Sequence, residues 1–225
     1  MCPRRRDHAP GPTATSEVTE RLRTTILDGD LAPGTALREE DLAERFAVSR
    51  HTVRSALARL SAERLVQSIP YRGSRVAQLD VDGLHALQDL RGALEGEAVR
   101  LLRERHGEHW PAAVTAPIQA ALATLDHVER TAGWAQTTRA HSGFHQALVA
   151  AAGSARITEA YSQLDSEILL LLTHVRPDYP PGSLAPEHRT YLDAAQHDGG
   201  PAVRAHLAHS TALIEASLGQ RNRPA

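Results

Sequence analysis

The stretch from Leu37 to Leu60 reads LREEDLAERFAVSRHTVRSALARL. Two short amphipathic helices joined by a tight turn account for it. The first, about Glu39–Phe46, turns Leu42, Ala43 and Phe46 inward. Ser49 is suited to cap the second, because its hydroxyl can accept from an orphan N–H of the first helical turn. Val53, Leu57 and Leu60 then recur at i, i+4 and i+7 as one buried stripe. Away from that stripe lie His51, Arg54 and Ser55, with Arg50 on the flank at the helix start. Helix, short turn and helix make a helix-turn-helix, and arginines on the exposed N-terminal half of its second helix suit a DNA major groove.

A helical hairpin with a solvated charged face is the plainer reading, and the flanking sequence argues against it. Upstream, Val18, Leu22, Ile26 and Leu27 stripe a helix ending near Gly29. Downstream, residues 65–69, Tyr71-Arg72-Gly73-Ser74 and residues 75–77 read as strand, turn and strand. Three helices and a hairpin form a winged helix.

Residues 16–77 resemble the DNA-binding domain of the GntR family of bacterial transcription regulators. The resemblance is carried by Ile26, Gly29, Leu31, Pro33-Gly34, Leu37, Glu39, Leu42-Ala43, Val48-Ser49-Arg50, Val53-Arg54, Ala56-Leu57, Leu60, Leu65-Val66, Arg72-Gly73 and Val76. It implies that the family's two base- or phosphate-contacting arginines carry over onto Arg50 and Arg54, and its wing-tip contact onto Arg72-Gly73. The expected DNA-binding set is Ser49, Arg50, His51, Thr52, Arg54, Arg72 and Gly73. Arg64 stands where the family usually has Gly. A position there with φ > 0 would strain an arginine.

The chain's 225 residues allow two modest domains, each with its own core. The single cysteine, Cys2, excludes a disulfide framework, and no apolar run approaches the roughly 18–20 residues of a membrane span. MCPRRRDHAP lacks the apolar core of a signal peptide. The expected location is the cytoplasm. The net charge of −2 seems wrong for a DNA binder until it is divided. Residues 1–78 hold 13 arginines against 10 acids, and residues 79–225 hold 12 against 17. A positive module joined to a negative one fits a nucleic-acid reader attached to something else.

Residues 1–14 are Pro- and Gly-containing, aperiodic and expected to be disordered, as is a short tail over 220–225. Residues 15–78 form the expected winged helix. Residues 79–219 alternate helical stripes with breakers and are expected to form an all-α antiparallel bundle, an architecture that can place a ligand site in its core. Its helices are marked by Leu84–Leu101, Val114–Val128, the segment between Gly133 and Gly153, Ile157–Leu172, Glu187–His197 and Ala202–Leu218, with Pro177–Pro186 as a break. The fold class is mainly α with a small β-hairpin wing.

Thirteen histidines weaken any pattern built from them. His141 and His145 are the one pair at spacing four, so on a helix they share a face and can ligate one ion. Two ordinary polar-face histidines fit that spacing as well.

Residues 84–218 resemble the helical effector (FCD) domain of the FadR-type branch of the same family, through Arg91-Gly-Ala-Leu-Glu95, Phe144-His145, Glu187-His188 and His206-Leu207. Many members hold a divalent metal with an Asp, the middle His four residues later, and two further His. Carried over, this implies His145, His188 and His206. The Asp position is His141 here, giving a shell of His141, His145, His188 and His206. Neutral imidazoles leave the ion its full charge, which favours zinc, nickel or copper over manganese and attracts an anionic effector. The interval from His188 to His206 is about one helical turn short, which leaves His209 as an alternative last ligand. Arg91 is either an i, i+4 surface partner of Glu95 or a guanidinium gripping an effector carboxylate.

The expected protein is a homodimeric regulator, a repressor, that binds a palindromic double-stranded operator and answers to a small carboxylate effector. It is expected neither to be an enzyme nor to bind membranes. A metal that acts as signal or as structural support is an alternative. A helical metalloenzyme activating water is another, opposed by the lack of a carboxylate at general-base spacing within the histidine cluster.

Overall fold

A computed structural model describes residues 13–69, 71–174, 179–180 and 182–221. The two expected tails lie outside the described residues except at their inner ends. Among the described residues the order is α1 (Ala14–Leu27), β1 (Ala36–Leu37), α2 (Glu39–Phe46), α3 (Arg50–Ala62), β2 (Val66–Ile69), β3 (Gly73–Val76), α4 (Val81–His106), α5 (Ala112–Thr131), α6 (Trp134–Ala151), α7 (Ala155–Ser162), α8 (Asp165–His174), α9 (Leu184–Asp198) and α10 (Gly200–Arg221).

Local chemistry sets the N-terminal unit. The turn between α2 and α3 is closed by Ala47 in the left-handed conformation, φ 53°, with Val48 N–H donating to the Ala43 carbonyl at 3.1 Å. Ser49 Oγ accepts from Thr52 N–H at 3.1 Å and so caps α3. Val53, Leu57 and Leu60 are buried against Leu22 and Ile26 of α1. Arg64 follows α3 with φ 58°, which confirms the sterically demanding position expected there. The sheet is antiparallel in the order β1-β3-β2, with Val66 opposite Val76 and Ile69 opposite Gly73. The two-residue β1, which sequence periodicity is too short to reveal, adds an edge through Ala36 opposite Arg75.

The C-terminal unit is a helical bundle. Its main core centres on Leu102, Ile118, Leu125, Phe144 and Leu148, all fully buried. Pro186, expected within the break, sits in the first turn of α9, where a missing N–H costs nothing. The short interval between α9 and α10 is spanned by Gly199 alone, at φ 70°.

The segment Ile157–Leu172 corrects the sequence reading. It is not one helix but two, α7 and α8, separated at Gln163-Leu164. The reason lies in α8, where residues 168–172 read ILLLL and all five are buried. Leu169 and Leu170 enter the winged-helix core, whereas Ile168, Leu171 and Leu172 pack with Leu84, Leu87 and Ile214 of the bundle. One helix thus serves two cores, and a straight continuation of α7 would offer it only one stripe.

Further contacts secure the junction. Thr173 Oγ1 donates to the Leu27 carbonyl at 3.2 Å, Arg139 of α6 pairs with Asp28, and Arg64 Nε lies 3.7 Å from Glu167. Ser142 of α6 donates to Asp165 at the start of α8. Leu170→Ala is expected to cost about 2–5 kcal/mol in urea unfolding. Hydrogen exchange should speed up in α1 and α3 while α5 amides stay protected.

Candidate functional site

The exposed side of the helix-turn-helix carries the groups expected to meet DNA. Arg50, His51 and Arg54 project into solvent from α3, and Arg72 and Gly73 lie exposed at the hairpin tip, Gly73 at φ 79°. Thr52 is half-buried, its hydroxyl 2.9 Å from Ser49 Oγ. Arg54 forks onto the Glu39 carboxylate at 3.0 and 2.7 Å, and Arg50 pairs with Glu40. The Arg54 guanidinium holds the Glu39 carboxyl below its usual range. These are solvent-exposed pairs, weakened by water and salt, so phosphates can displace the carboxylates at small cost.

The second site lies inside the bundle. His141 and His145 project from one face of α6 and His188 from α9. Their ligand nitrogens all lie within 4.8 Å of one another, and all three rings are buried. His206 of α10 stands at the rim, 4.8 Å from His188 between ring centroids and stacked on Tyr191 at 4.2 Å. Its Nδ1 faces Glu187 at 3.8 Å. His209, by contrast, is mostly exposed beside the same carboxylate.

Hydrogen bonds set the tautomers. His188 Nδ1 lies 2.7 Å from the Leu184 carbonyl, which can only accept, so Nδ1 carries the proton. His145 Nδ1 donates to Glu95 Oε1 at 2.9 Å. Both Nε2 atoms therefore present lone pairs, and they face each other at 3.2 Å. Two lone pairs at that distance repel unless a cation lies between or beside them. His141 Nδ1 is buried without a hydrogen-bond partner among the described residues. This donor set fits a divalent transition ion, with Glu95 and the Leu184 carbonyl orienting the rings from behind.

Glu95 is fully buried on α4 and accepts from three donors: His145, Tyr191 Oη at 2.6 Å and Tyr161 Oη at 2.8 Å. Arg91, one turn earlier, is also buried and donates to Gln88 Oε1 at 2.8 Å. That overturns its reading as a surface partner of Glu95. Arg91 Nε and Gln88 Nε2 lack partners among the described residues, so buried donors remain available beside the imidazoles. A groove of about 710 Å³ between α9 and α10 reaches Tyr191 and His206, while His141, His145 and His188 lie behind it. Sequence spacing singled out His141 and His145, and the family resemblance His188 and His206, but neither pointed to Tyr161, Tyr191 or Gln88, which look like ordinary stripe residues.

Comparisons with known proteins agree with this architecture. Residues 14–76 match the family described as bacterial regulatory proteins, gntR family, and residues 86–212 match the FCD domain. An uncharacterized HTH-type transcriptional regulator, BphR of Paraburkholderia xenovorans, is 36% identical over 167 residues, covering 70% of this chain and 67% of its own length. A probable D-xylose utilization operon transcriptional repressor of Paenarthrobacter nicotinovorans is 29% identical, covering 93% and 91%. The crystal structure of a putative GntR transcriptional regulator from Rhodococcus sp. RHA1 superposes with a TM-score of 0.74 at 26% identity, covering 90% and 97%.

Burial holds the imidazoles neutral, and the neighbouring rings and Arg91 add to this. His188 is pushed down to about 4, and His141, His145 and His206 lie well below the usual histidine range. In the unfolded chain these groups take up protons near pH 6.5, while the folded chain refuses them. The melting temperature of chelator-treated protein is therefore expected to fall as pH drops from about 6.5 towards 4. His188→Gln should flatten that slope.

Proposed function

The chain belongs to the GntR family of bacterial transcription regulators and carries an FCD domain, and we propose that it is a homodimeric repressor whose operator affinity is set by a small carboxylate bound at a metal centre. As a member of that family it is a DNA-binding regulator and not an enzyme. Among the described residues no helix is long and apolar enough to cross a membrane, and we assign its work to the cytoplasm, beside its operator.

The DNA-reading half of the proposal, residues 15–78, rests on α3. Its capped N-terminus, buried Val53-Leu57-Leu60 stripe and opposite face of Arg50, His51 and Arg54 leave one side free for a major groove. In a two-fold dimer, two such helices fit a palindrome at one separation only.

The effector half, residues 79–219, rests on the facing Nε2 atoms of His145 and His188. His141, His145 and His188 would hold the ion, with His206 completing the shell after a small movement from the rim. A zinc, nickel or copper ion suits all-imidazole donors. When bound, it supplies a Lewis-acidic positive charge for a carboxylate oxygen. Arg91, buried with an unpartnered Nε, is suited to the other end of the same anion.

The junction described above supplies a mechanical route. His141, His145, Ser142 and Arg139 all lie on α6, and Ser142 and Arg139 connect it to α8 and α1. An effector that shifts α6 moves α8, whose Leu169 and Leu170 are part of the winged-helix core. The DNA helices change separation, and operator affinity falls by the coupling energy, typically about 1–3 kcal/mol.

Two measurements test the halves separately. Arg54→Ala is expected to abolish sequence-specific DNA binding with the bundle unchanged, and retained tight binding would defeat the DNA assignment. Tag-free protein is expected to carry about one transition ion per chain, lost in His145→Ala. Absence of metal from both would leave recognition to Arg91 and neutral groups.

A further inference from the structure

His141, His145 and His188 are buried, so an ion held among them must be delivered through the bundle. A hydrated dication cannot cross an apolar layer bare, because losing its waters in a medium of low polarity is prohibitive. Ligands along the way must replace those waters a few at a time. The groove between α9 and α10 reaches His206, and its walls also hold Glu187, Asp198 and His209.

Glu187 Oε1 is buried without a hydrogen-bond partner among the described residues. Two imidazole nitrogens flank it, His206 Nδ1 at 3.8 Å and His209 Nε2 at 3.7 Å. Both gaps are too long for hydrogen bonds, yet close to the roughly 3.4 Å between two donors of one tetrahedral ion. His206 and His209 stand one turn apart on α10 and share a face. The His209 side chain is 57% exposed and that of His206 only 7%, so the donors step from solvent to interior. Tyr191 stacks on the His206 ring, whose centroid lies 4.8 Å from that of His188 and 5.3 Å from that of His145. The two nitrogens of an imidazole point apart, so a ring with Nδ1 towards Glu187 turns Nε2 away from it.

We propose that Glu187 and His209 form an entry site that captures a hydrated transition ion in the groove and hands it to His206 for delivery to the buried histidines. This rests on the metal-centre reading above and extends it to how the centre is filled. The incoming ion exchanges waters for Glu187 Oε1 and His209 Nε2, and the released waters leave through the groove. His206 takes the ion over and, by a small turn of its rim ring, passes it to His145 and His188. Asp198 adds a second negative charge at the groove, which raises the local cation concentration. A group on the path but outside the final shell lowers the barrier and leaves the end state alone. Its loss therefore slows uptake and release by the same factor, because their ratio is the affinity.

The test loads chelator-stripped, full-length protein with zinc(II), follows uptake with a colorimetric zinc indicator and follows release into excess chelator. His209→Ala and Glu187→Gln are each expected to slow both rates about tenfold, with the zinc bound at equilibrium and its affinity as in the parent. Circular dichroism should match the parent, since His209 is exposed and Gln has the shape of Glu. Asp198→Asn removes a charge but no capturing ligand, so it should slow uptake only slightly. Parent-like rates in both capture variants overturn the proposal. So does loss of bound zinc in His209→Ala, which would make His209 a ligand of the centre itself. Asp198→Asn as slow as Glu187→Gln, with His209→Ala unaffected, also overturns it and leaves only attraction by the acidic groove. A parent that takes up no zinc defeats the metal-centre reading and the route together, whereas a parent that loads beside equally fast variants defeats the route alone.

Discussion

The carboxylate of Glu95 is the group on which the effector-domain architecture depends. It is buried on α4 and receives hydrogen bonds from α6 through His145, from α7 through Tyr161 and from α9 through Tyr191. Four helices are thus tied to one carboxylate, and leaving any of these buried groups without its partner would cost roughly 1–3 kcal/mol. The same bonds orient the His145 ring, so the constraint that holds the bundle together also fixes a donor nitrogen of the histidine cluster. A change that moves α6 therefore strains a network spanning the whole site.

The second dependency runs through α8. A helix apolar all round must be buried all round, and α8 meets that demand by lying between two cores. Leu169 and Leu170 commit it to the DNA-reading unit, while Ile168, Leu171 and Leu172 commit it to the bundle. This makes the boundary between the units a packed interface and not a loose linker. Contacts at both ends of α8, Ser142 with Asp165 and Thr173 with Leu27, restrict how it can slide.

Much of this was legible in the chain. The stripe Val53-Leu57-Leu60, the Ser49 cap and the arginines beside it define α2 and α3 with no reference to distant residues, because helix periodicity and capping are local. The strain at Arg64 was indicated only by the resemblance, since the family usually has Gly at that position, and φ there is 58°. The break between α7 and α8 was not. No Gly or Pro marks Gln163-Leu164, and an unbroken apolar run satisfies one long helix as well as two short ones. Arg91 and Glu95 likewise look like a surface pair at i, i+4, and only packing decides whether such a pair faces water.

The sequence by itself determined the winged helix, the extent of most helices and the shared face of His141 and His145 on α6, because each follows from residues within a few turns of one another; His188 and His206 were implied only by the resemblance to the family. Tertiary structure alone decided that His188 approaches His145 from a helix 43 positions away, that His209 faces solvent, and that α8 belongs to two cores. The physical reason is common to all three. A periodic pattern states which side of an element is apolar, but which neighbour covers that side depends on how elements distant in sequence pack to exclude water.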